Sequence, residues 1–305
     1  MIGSAAKAET LERAVAGRSL WADAFARLKR NRAAMAAIFV LAVMALMALF
    51  APFLSPHRFD AVNYDLITCA PTWWPGPANC HAPGYLFGTD AVGRDLFVRV
   101  LYGARMSLAV GLVATLVSLV IGVLYGATAG YVGGRTDALM MRVVDVLYSL
   151  PFIFLVITLM VVFERNLILL FVAVGAVEWL TMARIVRGQT LSLKQKEFVE
   201  AARAAGVSGF GIISRHIIPN AVGPVVVYVT LTVPTVILIE SFLSFLGLGV
   251  QEPLTSWGTL ISEGAAQMET ATWTLVFPAL FMAVTLFCFN FIGDGLRDAL
   301  DPKDR

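Results

Sequence analysis

The sequence predicts an all-α membrane protein with six transmembrane helices and both termini in the cytoplasm. Three observations point there. Hydrophobic residues make up 58% of the chain and charged residues 14%, with a mean hydropathy of +0.78, whereas soluble domains carry roughly a quarter charged residues. The apolar residues gather into six runs, each at or near the ~20 residues that a helix needs to cross a bilayer core. The charges lie between those runs and are divided unequally between the two sides. A net charge of +2 leaves no basic footprint for nucleic acid.

The first run, 33–54, reads AAMAAIFVLAVMALMALFAPFL and holds no charge. It is longer than the ~7–15-residue core of a signal peptide and follows a mixed-charge arm, so it is expected to remain as a span. The chain thus divides into a cytoplasmic arm, 1–32, and a membrane domain, 33–305. The second run, 107–131, has glycines at 111, 122, 126 and 130, which suit close helix packing. The third, 141–163, opens with Arg142 and Asp145, placed to pair with each other. The fourth, 167–183, carries Glu178 near its inner end. The fifth, 221–246, holds Glu240 deep in its outer half, and the sixth is 273–292. A charge at the centre of a span costs about 2.5–3.5 kcal/mol, so these groups are expected to have partners or water. Two readings of Glu240 stay open. It lines the transport pathway, or it holds the ESFLSFLGLG segment through backbone hydrogen bonds.

Orientation follows from lysine and arginine. With the N-terminus inside, eighteen of the 23 basic residues fall on inner segments and five on outer ones. Two polar segments exceed the usual ~4–6-residue connector and are the places to look for function. One is the outer loop, 55–106, and the other the inner loop, 184–220. In the outer loop, Leu96, Phe97, Val100, Leu101 and Ala104 share a helical face, with Asp95 and Arg99 opposite at i,i+4. That pattern predicts an amphipathic helix lying on the outer leaflet ahead of the second span. Cys69 and Cys80 fall in the same loop. No C-x-x-C pair exists, so a zinc or redox motif has no support. A Cys69–Cys80 disulfide is allowed by the spacing and required by nothing.

The inner loop contains KEFVEAARAAGVSGFGIISRHIIPN at 196–220. Glu197–Ala205 is built from strong helix formers. Gly206 stands where a helix ends, Ser208 where the next one starts, and Pro219 is expected to close that second helix. The reading is helix, glycine turn, helix, with Ala201, Ala202, Ala204 and Ala205 on the surface. From the residues alone, an ordinary basic cytoplasmic loop is an equal alternative.

Glu200, Ala201, Ala202, Gly206 and Pro219 stand at the spacing of the signature loop of bacterial ATP-binding-cassette importer permeases, which this segment resembles. His216 replaces an isoleucine of the general pattern and Ile218 a leucine; His216 resembles the R-H-I-x-P-N variant of the peptide and nickel branch. As a lone histidine it reads as a packing residue, not a metal ligand. The stretches 88–105, 129–151, 240–258 and 293–305 are similar to other hallmarks of that branch. GRSLWADA (17–24) and MARIVRGQTLSLKQKEF (182–198) look closer still to the C-type membrane subunit of oligopeptide permeases. Only about 62–85 lacks a counterpart. The resemblance implies the type I importer permease fold in a bacterial inner membrane, with the 197–219 loop docking on an ATPase. It implies as partners a second permease subunit of B type, two cytoplasmic ATPase subunits and an extracytoplasmic peptide-binding protein. It places the outer loop with Asp90, Gly93, Arg94 and Asp95 near the surface where the binding protein docks, although residue by residue they read first as an elbow that orients the second span.

The chain has no recognisable catalytic chemistry. None of its lysines follows a glycine, so there is no G-x-x-x-x-G-K-[ST] loop. A G-x-S-x-G elbow and an H-E-x-x-H helix are also missing from the sequence. The expectation is therefore a transport subunit, not an enzyme, binding no cofactor or metal itself and moved by ATP that its partners consume. The same architecture serving dipeptides, nickel or glutathione is the near alternative. A secondary transporter is the distant one, and the sequence lacks the internal repeat that it would usually show.

Overall fold

The computed structural model describes residues 20–76, 78–163 and 167–300. The first nineteen residues of the expected cytoplasmic arm, the outer Arg165 and the final five residues of the 293–305 stretch lie outside the described residues. Helices α1 (Leu20–Arg30) and α2 (Arg32–Leu49) are separated by Asn31 alone, whose side chain accepts a hydrogen bond from the Ala34 N–H (3.1 Å) and so caps α2. Proline at its start allows the short α3 (Ala51–Leu54), after which the chain turns irregular. A two-residue parallel pair, β1 (Ala70–Pro71) with β2 (His81–Ala82), holds that segment beside the bonded Cys69 and Cys80 sulfurs.

Helix α4 (Leu96–Val132) has 37 residues, about 55 Å at 1.5 Å per residue, against a hydrocarbon core of ~30 Å. This corrects the expectation of a separate surface helix before the second span. No proline interrupts the run, so the amphipathic segment is simply the first turns of α4, and Leu96, Val100, Leu101 and Ala104 are all buried in protein. Asp95 and Arg99 do not pair. Asp95 caps the helix by accepting from the Phe97 N–H (2.9 Å), and Arg99 finds other carboxylates.

Helices α5 (Gly134–Ser149) and α6 (Phe152–Val162) stand where one third span, 141–163, was expected; they meet at a 76° bend around Leu150–Pro151. Proline disfavours helix at the residue before it and lacks an N–H for the ladder. Helix α7 (Leu167–Leu193) contains the expected fourth span but runs ten residues further, which puts Glu178 in the middle of the helix. Helix α8 (Glu197–Ala204) is followed by α9 (Gly209–Phe245), the short α10 (Trp257–Ala265) and α11 (Trp273–Leu300). Among the described residues, α2, α4, α9 and α11 are each long and apolar enough to cross a membrane, and the bent α5–α6 pair makes up to five.

Pro219 does not close a helix as expected. The chain passes through it by widening to a π-turn at Ile213–Ile217, where the Ile218 N–H reaches back to the Ile213 carbonyl. One wide turn absorbs the missing proline donor, and the Asn220 amide donates to the His216 carbonyl (2.6 Å).

Tight packing of α4 on α7 organises the bundle. A Cβ on Gly122 would fall 2.6 Å from Met182 Cβ, and one on Gly126 would collide with the Ala183 carbonyl. Glycine every fourth residue lets the two backbones approach, as the sequence suggested. The core then falls into clusters along α4. Leu96, Val100, Trp257 and Trp273 pack at its N-terminal end, and Ala127, Val199, Ile212 and Ile217 at its C-terminal end.

Candidate functional site

The C-terminal end of α4 carries the helical hairpin. Within α8, Val199 and Ala202 recur at i,i+3 and are buried against Ile212, Ile213 and Ile217. Ala202 therefore belongs to the core, correcting the expectation that it lay on the surface. Glu200, Ala201, Ala204 and Ala205 remain exposed.

The turn is a Schellman cap. The Val207 N–H donates to the Ala202 carbonyl (3.1 Å) and the Gly206 N–H to Arg203 (3.0 Å). Gly206 sits at φ +79, and a Cβ there would meet nothing within 4 Å. Space is therefore no constraint, and glycine is needed only for the left-handed backbone. Ser208 then accepts from the Gly211 N–H (3.2 Å) and starts α9. Tyr131, in the last turn of α4, lies under Gly209 and beneath the Arg203 guanidinium (5.9 Å), seating the hairpin on the bundle. Phe210 projects from it, 77% exposed.

Ion pairs brace the helices beside this hairpin. Arg187 on α7 grips Asp137 on α5 through two bonds (2.5 and 2.6 Å), and Lys194 donates to the Gly130 carbonyl (2.8 Å). Asp145 pairs with Arg184 (2.8 Å) and not with Arg142, as the sequence had suggested, because α7 presents its arginine directly across from α5. His216 is half-buried, and no group of residues among those described has the make-up of a metal site.

The opposite end of α4 gathers charges that the sequence left apart. Arg94 donates to Asp90 (2.7 Å) and Glu252 (2.8 Å), while the fully buried Arg99 reaches Asp90 and Glu263 (2.7 Å). Gly93, at φ +80, lets the turn close where any Cβ would strike the Asn63 carbonyl. Asp95 adds bonds from Ser55 Oγ and His57 Nδ1, each 2.9 Å. The structure thus brings Asp90 and Arg94 together and adds Arg99, Glu252 and Glu263. The readable signal for the last two was a base-free loop holding three glutamates, since such carboxylates need counter-charges from elsewhere.

Burial works against ionising Asp90, but the Arg99 guanidinium and the N–H groups of Arg94 and Val92 outweigh it and hold its carboxyl below the ordinary 3.8. A depressed folded pKa means that the stabilisation is complete above the unfolded value and is lost only as pH falls through the folded one. The gap in unfolding temperature between the native chain and D90N should accordingly stay constant from about pH 7.5 to about pH 5 and shrink below about pH 4. A gap that closed near neutrality would refute this account of Asp90.

Glu240 is fully buried between these two ends. It accepts from Ser107 Oγ on α4 (3.1 Å) and Ser244 Oγ (2.6 Å), while Ser107 Oγ also accepts from the Trp257 N–H (3.2 Å). The partners are serine hydroxyls, not backbone groups as one reading had it, and they tie α4, α9 and the start of α10 together. Glu178 is half-buried on α7.

Residues 119–305 match the family described as the inner membrane component of binding-protein-dependent transport systems, and this span includes the whole hairpin. The chain belongs to that family. Residues 19–71 further match the N-terminal transmembrane domain of oligopeptide transport permease C. This family member is 56% identical, over the whole of both chains, to the oligopeptide transport system permease protein OppC of Escherichia coli K12. It is 46% identical to OppC of Bacillus subtilis, across 94% of this chain and 91% of that one. A glutathione transport system permease, GsiD of E. coli O1:K1, is 41% identical over comparable shares, 94% and 91%. The fold resembles a chain of the MetNI methionine ABC transporter in inward-facing form, with TM-score 0.56 and 20% identity over 68% of this chain and 98% of that chain.

Proposed function

We propose that this chain is one membrane subunit of an ATP-driven oligopeptide importer in a bacterial inner membrane, and that it works through its helical hairpin. The observation that carries the reading is the capped turn at Gly206. It presents an exposed surface of small residues and Phe210 at one end of the bundle, inside the region shared with the transport family. Its shape suits insertion into a groove on another protein. The expected partners are two cytoplasmic ATPase subunits, a second, B-type permease subunit across a central pathway, and an extracytoplasmic peptide-binding protein.

In this reading six helices cross the bilayer, α7 supplying the span beyond those counted by length and apolarity, and both termini face the cytoplasm. The charge cluster around Asp90 and Arg94 faces outward, with Cys69 and Cys80 in the oxidising compartment. ATP-driven closure of the ATPases moves α8, and the hairpin passes that motion to α4, α7 and α9. A nucleotide shifts the balance of such states only by its differential affinity for them. Glu240 holds the outer segment in place. Full-length identity to OppC favours oligopeptides as cargo; the glutathione permease relative keeps that narrower substrate as a second reading.

Inverted membrane vesicles holding the chain with its partner subunits test the proposal. Movement of a labelled oligopeptide should require ATP, and cysteines placed between 198 and 212 should cross-link to the ATPases. The same movement driven by a proton gradient without ATP would refute it in favour of a secondary transporter.

A further inference from the structure

The first described helix carries an apolar groove and a basic run that the proposed transport cycle does not use. Ala24 and Leu28 of α1 are buried against Ala299 near the end of α11. Phe25 lies just round the helix from them and is 59% exposed. Between the two helices runs an apolar groove lined by Ala22, Phe25, Leu28, Leu296 and Leu300. The Lys29 ammonium stands 4.6 Å from the centre of the Phe25 ring, at the edge of that groove. Lys29 belongs to a basic run, Arg27, Lys29, Arg30 and Arg32, none of which forms an ion pair with an acid among the described residues. Only Asn31 separates α1 from the charge-free interior of α2, so the run sits where the membrane surface must be.

An apolar slot with a cationic rim at the water–lipid boundary fits one kind of molecule. Water in the slot would meet almost entirely carbon, while an acyl chain fills it at little polar cost. The basic run beside the groove calls for an anion, and a zwitterionic headgroup leaves its net positive charge uncompensated. Basic residues on an amphipathic helix at a membrane surface are each worth about 1 kcal/mol toward anionic lipid. We propose that α1 and the end of α11 form a binding site for an anionic phospholipid, with one acyl chain in the groove and the phosphate on Lys29 and Arg30. The site would hold the N-terminal helix flat on the bilayer. Only the choice of the inner leaflet rests on the proposed orientation.

The test is lipid retention by the full-length chain in detergent, read by native mass spectrometry during titration with phosphatidylglycerol or phosphatidylcholine. Phosphatidylglycerol should bind tightly and phosphatidylcholine weakly. The double variant K29E/R30E should weaken phosphatidylglycerol binding at least about thirtyfold, since loss of the two positive charges alone is worth roughly fivefold each and reversal adds repulsion, and Phe25→Ala should weaken both lipids. Equal retention of the two lipids, an unchanged K29E/R30E, or displacement by millimolar inorganic phosphate would each overturn the proposal. Circular dichroism of each variant should match the native chain, and Lys29→Gln provides a milder change if it does not. Detergent retention is independent of ATP-driven uptake and of sidedness, so this site and the importer reading fail separately.

Discussion

Arg99→Met should lower the stability of the chain by about 3–5 kcal/mol, the range for breaking a buried ion pair by removing one partner. The guanidinium is fully buried and holds Asp90 and Glu263. Asp90 is itself almost wholly out of water, so losing Arg99 leaves a carboxylate supported only by Arg94 and two backbone N–H groups. Glu263 is more exposed and regains water, which limits its share. Methionine fills most of the volume, so the loss reads charge and not a cavity. The unfolding temperature of the detergent-purified chain should fall by roughly 5–15 °C. Adding D90N to Arg99→Met should restore part of the loss, because the orphaned charge is then removed along with its partner. If the single variant unfolds within a degree of the native chain, or the double variant is simply additive, the cluster does not hold the α10 segment to the 88–95 turn.

The second large effect is expected at Gly206. A valine there must take up φ +79, a conformation that costs a β-branched residue about 1–3 kcal/mol. No neighbour obstructs the side chain, so the cost falls on the turn and not on the bundle. The exposed α8 is the element that yields. Gly206→Val should therefore reach the membrane in normal amounts yet transport roughly five- to a hundredfold more slowly, since each 1.4 kcal/mol taken from the docked geometry is worth a factor of ten. Glu200→Lys reverses a charge on the exposed face without touching the turn, and it should separate ATP hydrolysis from uptake in the assembled complex. Gly206→Asn tolerates the left-handed backbone better and should recover part of the activity. Normal ATP-coupled uptake by Gly206→Val would remove the hairpin from the mechanism.

How far the sequence could be read follows from the range of the forces involved. Local rules carried the hairpin. Glycine at 206, serine at 208 and helix formers before them specify cap, turn and restart within a dozen residues, and the structure has all three. Apolar run length carried the membrane-length helices α2, α4, α9 and α11 in the same way, because backbone polar groups in lipid must be bonded within their own helix. The glycines of α4 announced a close partner without naming α7.

What the sequence could not supply was every choice between competing partners. Asp95 had Arg99 at a good spacing and instead caps α4, because Asp90 and Glu263 offer the arginine two carboxylates from elsewhere in the fold. Arg142 stood three residues from Asp145 and lost it to Arg184 on another helix. Pro219 looked like a stop, yet the helix runs through it after the π-turn at Ile213–Ile217, whose Ile213 and Ile217 are buried in the cluster with Ile212 and Val225. By itself the sequence determined which segments are apolar and where the glycine turn at 206 lies, but not where each helix starts, bends or ends. The tertiary structure alone decided which charges meet, because such bonds depend on distances between residues up to 164 positions apart in the chain.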